Sequence, residues 1–90
     1  MTAQAGVRVA LKLYASLADY LPVQARRAHR LDLELPAGIT IADVIGRQGL
    51  PPAMCHLVLV NGVFVPPGER AVRALVAGDE LAIWPPIGGG

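Results

Sequence analysis

Asn61-Gly62 lies between two β-rich runs, Leu57-Val-Leu-Val60 and Val63-Phe-Val65. A tight two-residue hairpin needs positive φ at both central positions, and Asn-Gly supplies it at little steric cost. The dipeptide therefore predicts two antiparallel strands, the second closed by Pro66-Pro67-Gly68. Three further segments read as strands. Val7 to Tyr14 alternates, with Val7, Val9, Leu11 and Leu13 on one face and Arg8, Lys12 and Tyr14 on the other. Leu31, Leu33 and Leu35 alternate with Arg30, Asp32 and Glu34. Glu80 to Trp84 follows the turn Gly78-Asp79 and stops at Pro85-Pro86.

Helical period is rarer. Ile41, Val44 and Ile45 form one apolar stripe behind Thr40, a good N-cap, with Asp43 suited to the positive end of the dipole. Gly46 weakens this helix by about 1 kcal/mol relative to Ala. Gly49 and Pro51-Pro52 end it, which gives a main helix over roughly 41–48. Ser16-Leu-Ala-Asp19 resembles a capping box and predicts a short helix through Leu21, stopped before Pro22. Residues 23–29 are basic and read as a loop. Residues 1–6 read as a loose start, and Glu69 to Ala77 is ambiguous, with room for a short helical turn. One helix cannot cover both faces of a sheet. The pattern is thus an α+β domain over 1–90, with one main helix on one face of four to five strands and the other face partly open.

With 90 residues there is room for one modest core. Hydrophobic residues make up 53% and charged residues 17%, which argues against disorder. Eight Lys and Arg against seven Asp and Glu leave a net charge of +1, so no global field draws in nucleic acid or an acidic membrane. The run Leu81 to Ile87 falls far short of the ~18–20 residues of a membrane helix. No signal segment is read at the N-terminus, and the single cysteine forms no internal disulfide, so the expected location is cytoplasmic.

A catalytic reading fails by inventory. His29 and His56 are the two histidines, with no Ser or Cys at a nucleophile motif spacing. Cys55 and His56 are strand neighbours that point to opposite faces, and Cys55 reads as a small buried hydrophobe. One Cys and two separated His make a poor metal site. Arg26, Arg27, His29 and Arg30 form a basic cluster, readable as a solvated loop or as a docking spot. Few aromatics are available to stack on bases. In the last strand Leu81 and Ile83 turn to the core, so Trp84 turns outward, with Leu57 and Leu59 on the same face. There it is either half-buried against its neighbours or an anchor for a partner.

The sequence ends Trp84-Pro-Pro-Ile-Gly-Gly-Gly90. Pro85 and Pro86 stiffen the exit from the sheet. Gly88, Gly89 and Gly90 then make a thin tail that reaches about 20 Å from Pro85. Without Cβ atoms such a tail can enter a narrow channel, and a glycine carboxylate is the least hindered acyl group a chain can present.

Four stretches carry a resemblance. They are Val9-Ala-Leu-Lys-Leu-Tyr-Ala-Ser-Leu17, Val58-Leu-Val-Asn-Gly62, Leu75-Val-Ala-Gly-Asp-Glu-Leu81 and Pro85-Pro-Ile-Gly-Gly-Gly90. Over nearly its whole length the sequence resembles the ThiS/MoaD family of sulfur carriers, and its ending is most similar to the molybdopterin-synthase small subunit. Gly88 departs from the family's more usual Ala. Asp19 to Arg27, together with Val58 to Gly62, also resembles ubiquitin-like domains fused to certain RNases, which need no Gly-Gly end.

The resemblance implies a ubiquitin-like β-grasp fold with a mixed sheet, and a carrier rather than an enzyme. The Gly90 carboxylate is expected to be adenylated by a ubiquitin-activating-type enzyme that uses ATP, then converted to a thiocarboxylate. No bound cofactor or metal is expected. The implied acceptor is the large subunit of molybdopterin synthase or another sulfur-accepting enzyme. Trp84, Pro85, Pro86 and Leu59 are the expected partner contacts, and nucleic acid and membrane are not expected partners. The alternatives are a thiamine-thiazole sulfur carrier, a ubiquitin-like modifier, and a β-grasp binding module that carries nothing.

Overall fold

The computed structural model describes residues 6–86; residues 1–5 of the expected loose start (1–6) and residues 87–90 of the expected tail (85–90) lie outside the described residues. Five strands form one sheet: β1 (Gly6–Leu13), β2 (Arg30–Pro36), β3 (Leu57–Val60), β4 (Val63–Phe64) and β5 (Glu80–Trp84). Their order is β2-β1-β5-β3-β4. β1 and β5 run parallel and the other pairs antiparallel, so the sheet is mixed, as expected. The helices are α1 (Val23–Arg26) and α2 (Ile41–Arg47).

The alternation read in the sequence sets the core. Val9, Leu11, Leu13, Val58, Val60, Leu81 and Ile83 project from one face and are essentially fully buried. Register places them side by side: Leu11 opposite Leu81, and Ile83 between Leu13 and Val58. Ile41, Val44 and Ile45 of α2 join the same cluster, with Leu17, Leu21, Leu50 and Leu75 from the connections. At seven residues α2 is too short to persist alone, so this packing holds it.

Both ends of α2 are closed locally. Thr40 Oγ1 accepts from the Asp43 N–H at 3.1 Å, and the Thr40 N–H donates to Asp43 Oδ2 at 3.1 Å. At the other end Gly49 takes φ +70°, its N–H donates to the Gly46 carbonyl, and the Leu50 N–H donates to the Ile45 carbonyl. That pair of bonds is a Schellman stop, and it drives Leu50 into the core. The hairpin is equally local: Asn61 at φ 52° and Gly62 at φ 83° make the type I′ turn. Asn61 also ties the turn to β5. Its Nδ2 donates to Asp79 Oδ1 and its Oδ1 accepts from the Glu80 N–H, both at 2.9 Å.

Three expectations are corrected. Ser16 does not cap a helix. Ala15 turns at φ 53°, and the chain enters a 3-10 segment, Ala15–Tyr20, one residue earlier, with no side-chain cap. Burial of Leu17, Ala18 and Leu21 decides this local geometry. Residues 23–29 are not all loop. Pro22 leads into the single turn of α1, which buries Ala25. Gly6, placed in the loose start by sequence, pairs with Pro36 and opens β1. The ambiguous stretch Glu69 to Ala77 holds no helical turn of its own: a 3-10 turn, Pro67–Glu69, ends at its first residue, and Ala74 forms an isolated bridge with Thr40.

Candidate docking face and tail exit

The face of the sheet turned away from α2 divides into two halves. On β1 and β2 it is a lattice of charges. Arg8 pairs with Glu34 at 2.7 Å, Arg30 with Asp32 at 3.0 Å, and Lys12 with Glu80 at 3.1 Å. These pairs are exposed, so they satisfy one another and add little stability. On β5, β3 and β4 the same face is apolar. Trp84 lies directly across from Leu57, Ala82 from Leu59, and Leu59 from Phe64. Phe64 is 51% exposed, Leu57 36%, and Trp84 and Leu59 are half-buried.

Trp84 does point outward, as alternation requires, but it is not alone. Tyr14 stacks on it with ring centroids 4.3 Å apart and planes 6° from parallel. His29 stacks on the far side of Tyr14 at 5.3 Å, with its Nδ1 3.2 Å from the Leu13 carbonyl. Of the two leucines expected on its face, register puts Leu57 opposite Trp84 and Leu59, the expected partner contact, one diagonal step away. Phe64 was missed by sequence reasoning. The two-residue turn at Asn61-Gly62 already implies the Leu59–Phe64 pairing, so the signal was present. The Tyr14–His29 contact had none, because it joins residues from separate turns.

The end of β5 is held from both sides. The Tyr14 N–H donates to the Ile83 carbonyl at 3.2 Å and the His56 N–H donates to the Trp84 carbonyl at 3.0 Å. The chain therefore leaves the sheet at a fixed point beside the apolar patch. Pro86 is exposed there and available to a partner. Pro85 is buried within the chain. Gly88, Gly89 and Gly90 lie outside the described residues.

The remaining candidates play structural parts. Cys55 is buried and donates to the Pro51 carbonyl at 3.5 Å. Burial pushes its thiol pKa up, against a weaker lowering pull from Arg70, which is the opposite of a reactive thiolate. Within the basic cluster, Arg26 donates to the Leu21 and Asp19 carbonyls and Arg30 pairs with Asp32 and Glu80. Among the described residues no three His, Cys, Asp or Glu side chains converge as a metal site. No helix among them is long and apolar enough to cross a membrane.

The profile of the ThiS family matches residues 19–90. A search of curated protein sequences gives no match. Among solved structures, the Haloferax volcanii HVO 2177 protein superposes with a TM-score of 0.73 at 19% identity, covering 100% of this chain and 92% of that one. A proposed molybdopterin converting factor, subunit 1, from Pyrococcus furiosus gives 0.66 at 21% identity, covering 90% and 99%. Small archaeal modifier protein 1 from Haloferax volcanii gives 0.64 at 23% identity, covering 91% and 100%. At these identities the likeness is one of fold, and the fold is the α+β β-grasp arrangement of ThiS/MoaD-like proteins.

Proposed function

Because the chain belongs to the ThiS family, we propose that it is a sulfur carrier whose Gly90 carboxylate is adenylated and converted to a thiocarboxylate, acting as the small subunit beside a molybdopterin-synthase large subunit. Members of the family are in general non-catalytic carriers that meet adenylating enzymes and sulfur acceptors. The observation that carries the reading is a strand end pinned on both sides, next to an apolar patch, which Gly88-Gly-Gly90 follows in the sequence.

The chemistry needs little from this chain. A carboxylate is a poor acyl donor until one oxygen becomes part of a good leaving group. Attack of the Gly90 carboxylate on the α-phosphate of ATP, with loss of pyrophosphate, supplies that group. A persulfide sulfur then attacks the acyl carbon and AMP departs, which leaves an acyl disulfide. A second thiol of the donor system cleaves the S–S bond, forms its own disulfide and releases the thiocarboxylate. The catalytic groups belong to the partners. The apolar patch supplies docking area, and the bare glycine backbone lets an enclosing channel close on the acyl group.

A second reading draws on the likeness to small archaeal modifier protein 1: the same acyl adenylate is passed to a lysine amine, and the product is an isopeptide. Intact-mass spectrometry separates the two. Incubation with ATP, an adenylating enzyme and a persulfide donor should replace one terminal oxygen by sulfur. Conjugates without a thiocarboxylate would favour the modifier, and an unchanged mass would leave a plain binding module. Supply of a molybdopterin-synthase large subunit against a thiazole synthase, with consumption of the thiocarboxylate as readout, distinguishes the acceptors.

A further inference from the structure

A groove of about 430 Å³ lies on the helix side of the sheet, away from the apolar patch. Ala42 and Gly46, one helical turn apart on α2, leave the hollow, and Ile45, Leu50 and Pro52 give it apolar walls. A Cβ placed on Gly46 meets nothing within 4 Å. Arg70 closes one side. It is 9% exposed. Its Nη1 donates to the Cys55 carbonyl at 2.7 Å, its Nη2 to the His56 carbonyl at 3.2 Å and its Nε to the Val65 carbonyl at 3.2 Å.

Those bonds use three of the five guanidinium N–H groups and leave one on each terminal nitrogen. Carbonyl dipoles offset the charge but do not cancel it. Among the described residues no carboxylate lies within 4 Å of this guanidinium, and Arg70 is the buried arginine among them, whereas the paired cations Arg8, Lys12 and Arg30 meet carboxylates at the surface. The neighbouring Glu69 is exposed. The Cys55 thiol, on the same groove, feels the positive charge. A buried cation without a counter-charge is costly to hold, and an anion with a fork-shaped acceptor removes that cost.

We propose that this groove binds a small organic acid, with its carboxylate on Arg70 and its apolar stem over Gly46 against Ile45 and Leu50. The volume falls in the ordinary range for small-ligand pockets, and few polar groups among apolar walls is their usual make-up. None of the residues that line the groove belongs to the apolar patch of Leu57, Leu59, Phe64 and Trp84, and the proposal does not depend on the carrier function.

Hexanoate is the probe and hexanamide its neutral isostere. Each is titrated into the isotopically labelled full chain at neutral pH and fixed ionic strength, and amide shifts are followed. Hexanoate should give saturable shifts at Ala42, Ile45, Gly46, Cys55 and Ala71. Hexanamide should bind about ten-fold more weakly or worse, the loss expected for one charge-assisted hydrogen bond. Arg70→Gln should abolish the preference for the acid. Gly46→Leu, at an exposed helical position, keeps Arg70 and fills the hollow, so it should remove binding with a folded spectrum; it decides the matter if Arg70→Gln does not fold. The proposal is overturned if hexanoate and hexanamide respond alike, if hexanoate shifts gather instead at Leu57, Phe64 and Trp84, or if folded Gly46→Leu binds as before. It is also overturned if removal of residues 88–90 shifts the groove amides without ligand, since the chain's own carboxylate would then be the occupant.

Discussion

Trp84 lies flat on Tyr14, 4.3 Å between ring centroids and 6° from parallel, at the point where the last strand gives way to the tail. The contact joins β5 to the residue that follows β1, and it presents an aromatic edge to the open face. Stacked aromatic pairs contribute about 0.5–1.5 kcal/mol beyond their area. Tyr14→Leu and Trp84→Leu, made singly and together, should therefore couple by about that amount in urea unfolding. Strict additivity would mean that the rings are neighbours without mutual stabilisation.

Docking should depend on the exposed members of the patch more than folding does. Leu57→Ser and Phe64→Ser are each expected to weaken binding of an adenylating partner by about 1–3 kcal/mol, roughly 5- to 150-fold, with a small change in unfolding midpoint. Trp84→Ala should cost about 2–4 kcal/mol of binding, and some stability as well because the stack is lost. Calorimetry with the partner and thermal melts on the same samples read both. Unchanged affinity in all three variants would move the docking surface elsewhere.

The tail should matter for chemistry and not for folding. Removal of Gly89-Gly90 takes away no apolar side chain, so the melting curve is expected to hold while sulfur transfer disappears. Gly89→Val should fold normally and fail in ATP–pyrophosphate exchange, because a β-branched side chain adds bulk and stiffness to the backbone the enzyme encloses. Full exchange by this variant would refute the threading of the tail.

The Asp43 carboxyl is held below its ordinary value, first by the Thr40 backbone N–H and then by the Thr40 side chain. The folded value is the lower one. Its contribution is therefore complete above the unfolded carboxylate value, about pH 4, and is lost as pH falls through the folded value. Asp43→Asn should lower the unfolding midpoint at neutral pH and match the parent in strong acid. A difference that stayed constant with pH would mean the charge of Asp43 contributes nothing.

Where order is local, the residues announce it. The period of two in β1, β2 and β5, the Asn61-Gly62 turn and the Thr40–Asp43 cap are short-range features, and each formed as its chemistry requires. Ser16–Asp19 offers the same cap pattern as Thr40–Asp43 yet forms no cap. Only Thr40 is followed by a stripe that a sheet can hold as helix, while Leu17 and Leu21 reach the core through a tighter 3-10 turn. The outward direction of Trp84 follows from alternation alone. That Leu57 and not Leu59 faces it depends on the register between β3 and β5, whose paired residues lie 21 to 27 positions apart in the sequence. Arg70 is the least legible residue: arginine is rarely buried, and three backbone carbonyls from two other segments are what hold it there.

The place of β5 in the sheet has a consequence for how the chain comes into being. β2 and β1 form one pair, β3 and β4 another, and β5 is the strand that lies between them. On a ribosome the two pairs have no common ladder until residues 80–84 emerge, so the core cannot close before then. The strand that joins the sheet is also the one that the Gly-Gly-Gly stretch follows in the sequence. An unfinished or unravelled chain has neither a seated Trp84 nor a pinned exit, so the activating enzyme proposed above, reading patch and tail together, would discriminate mature molecules from immature ones without a separate checkpoint.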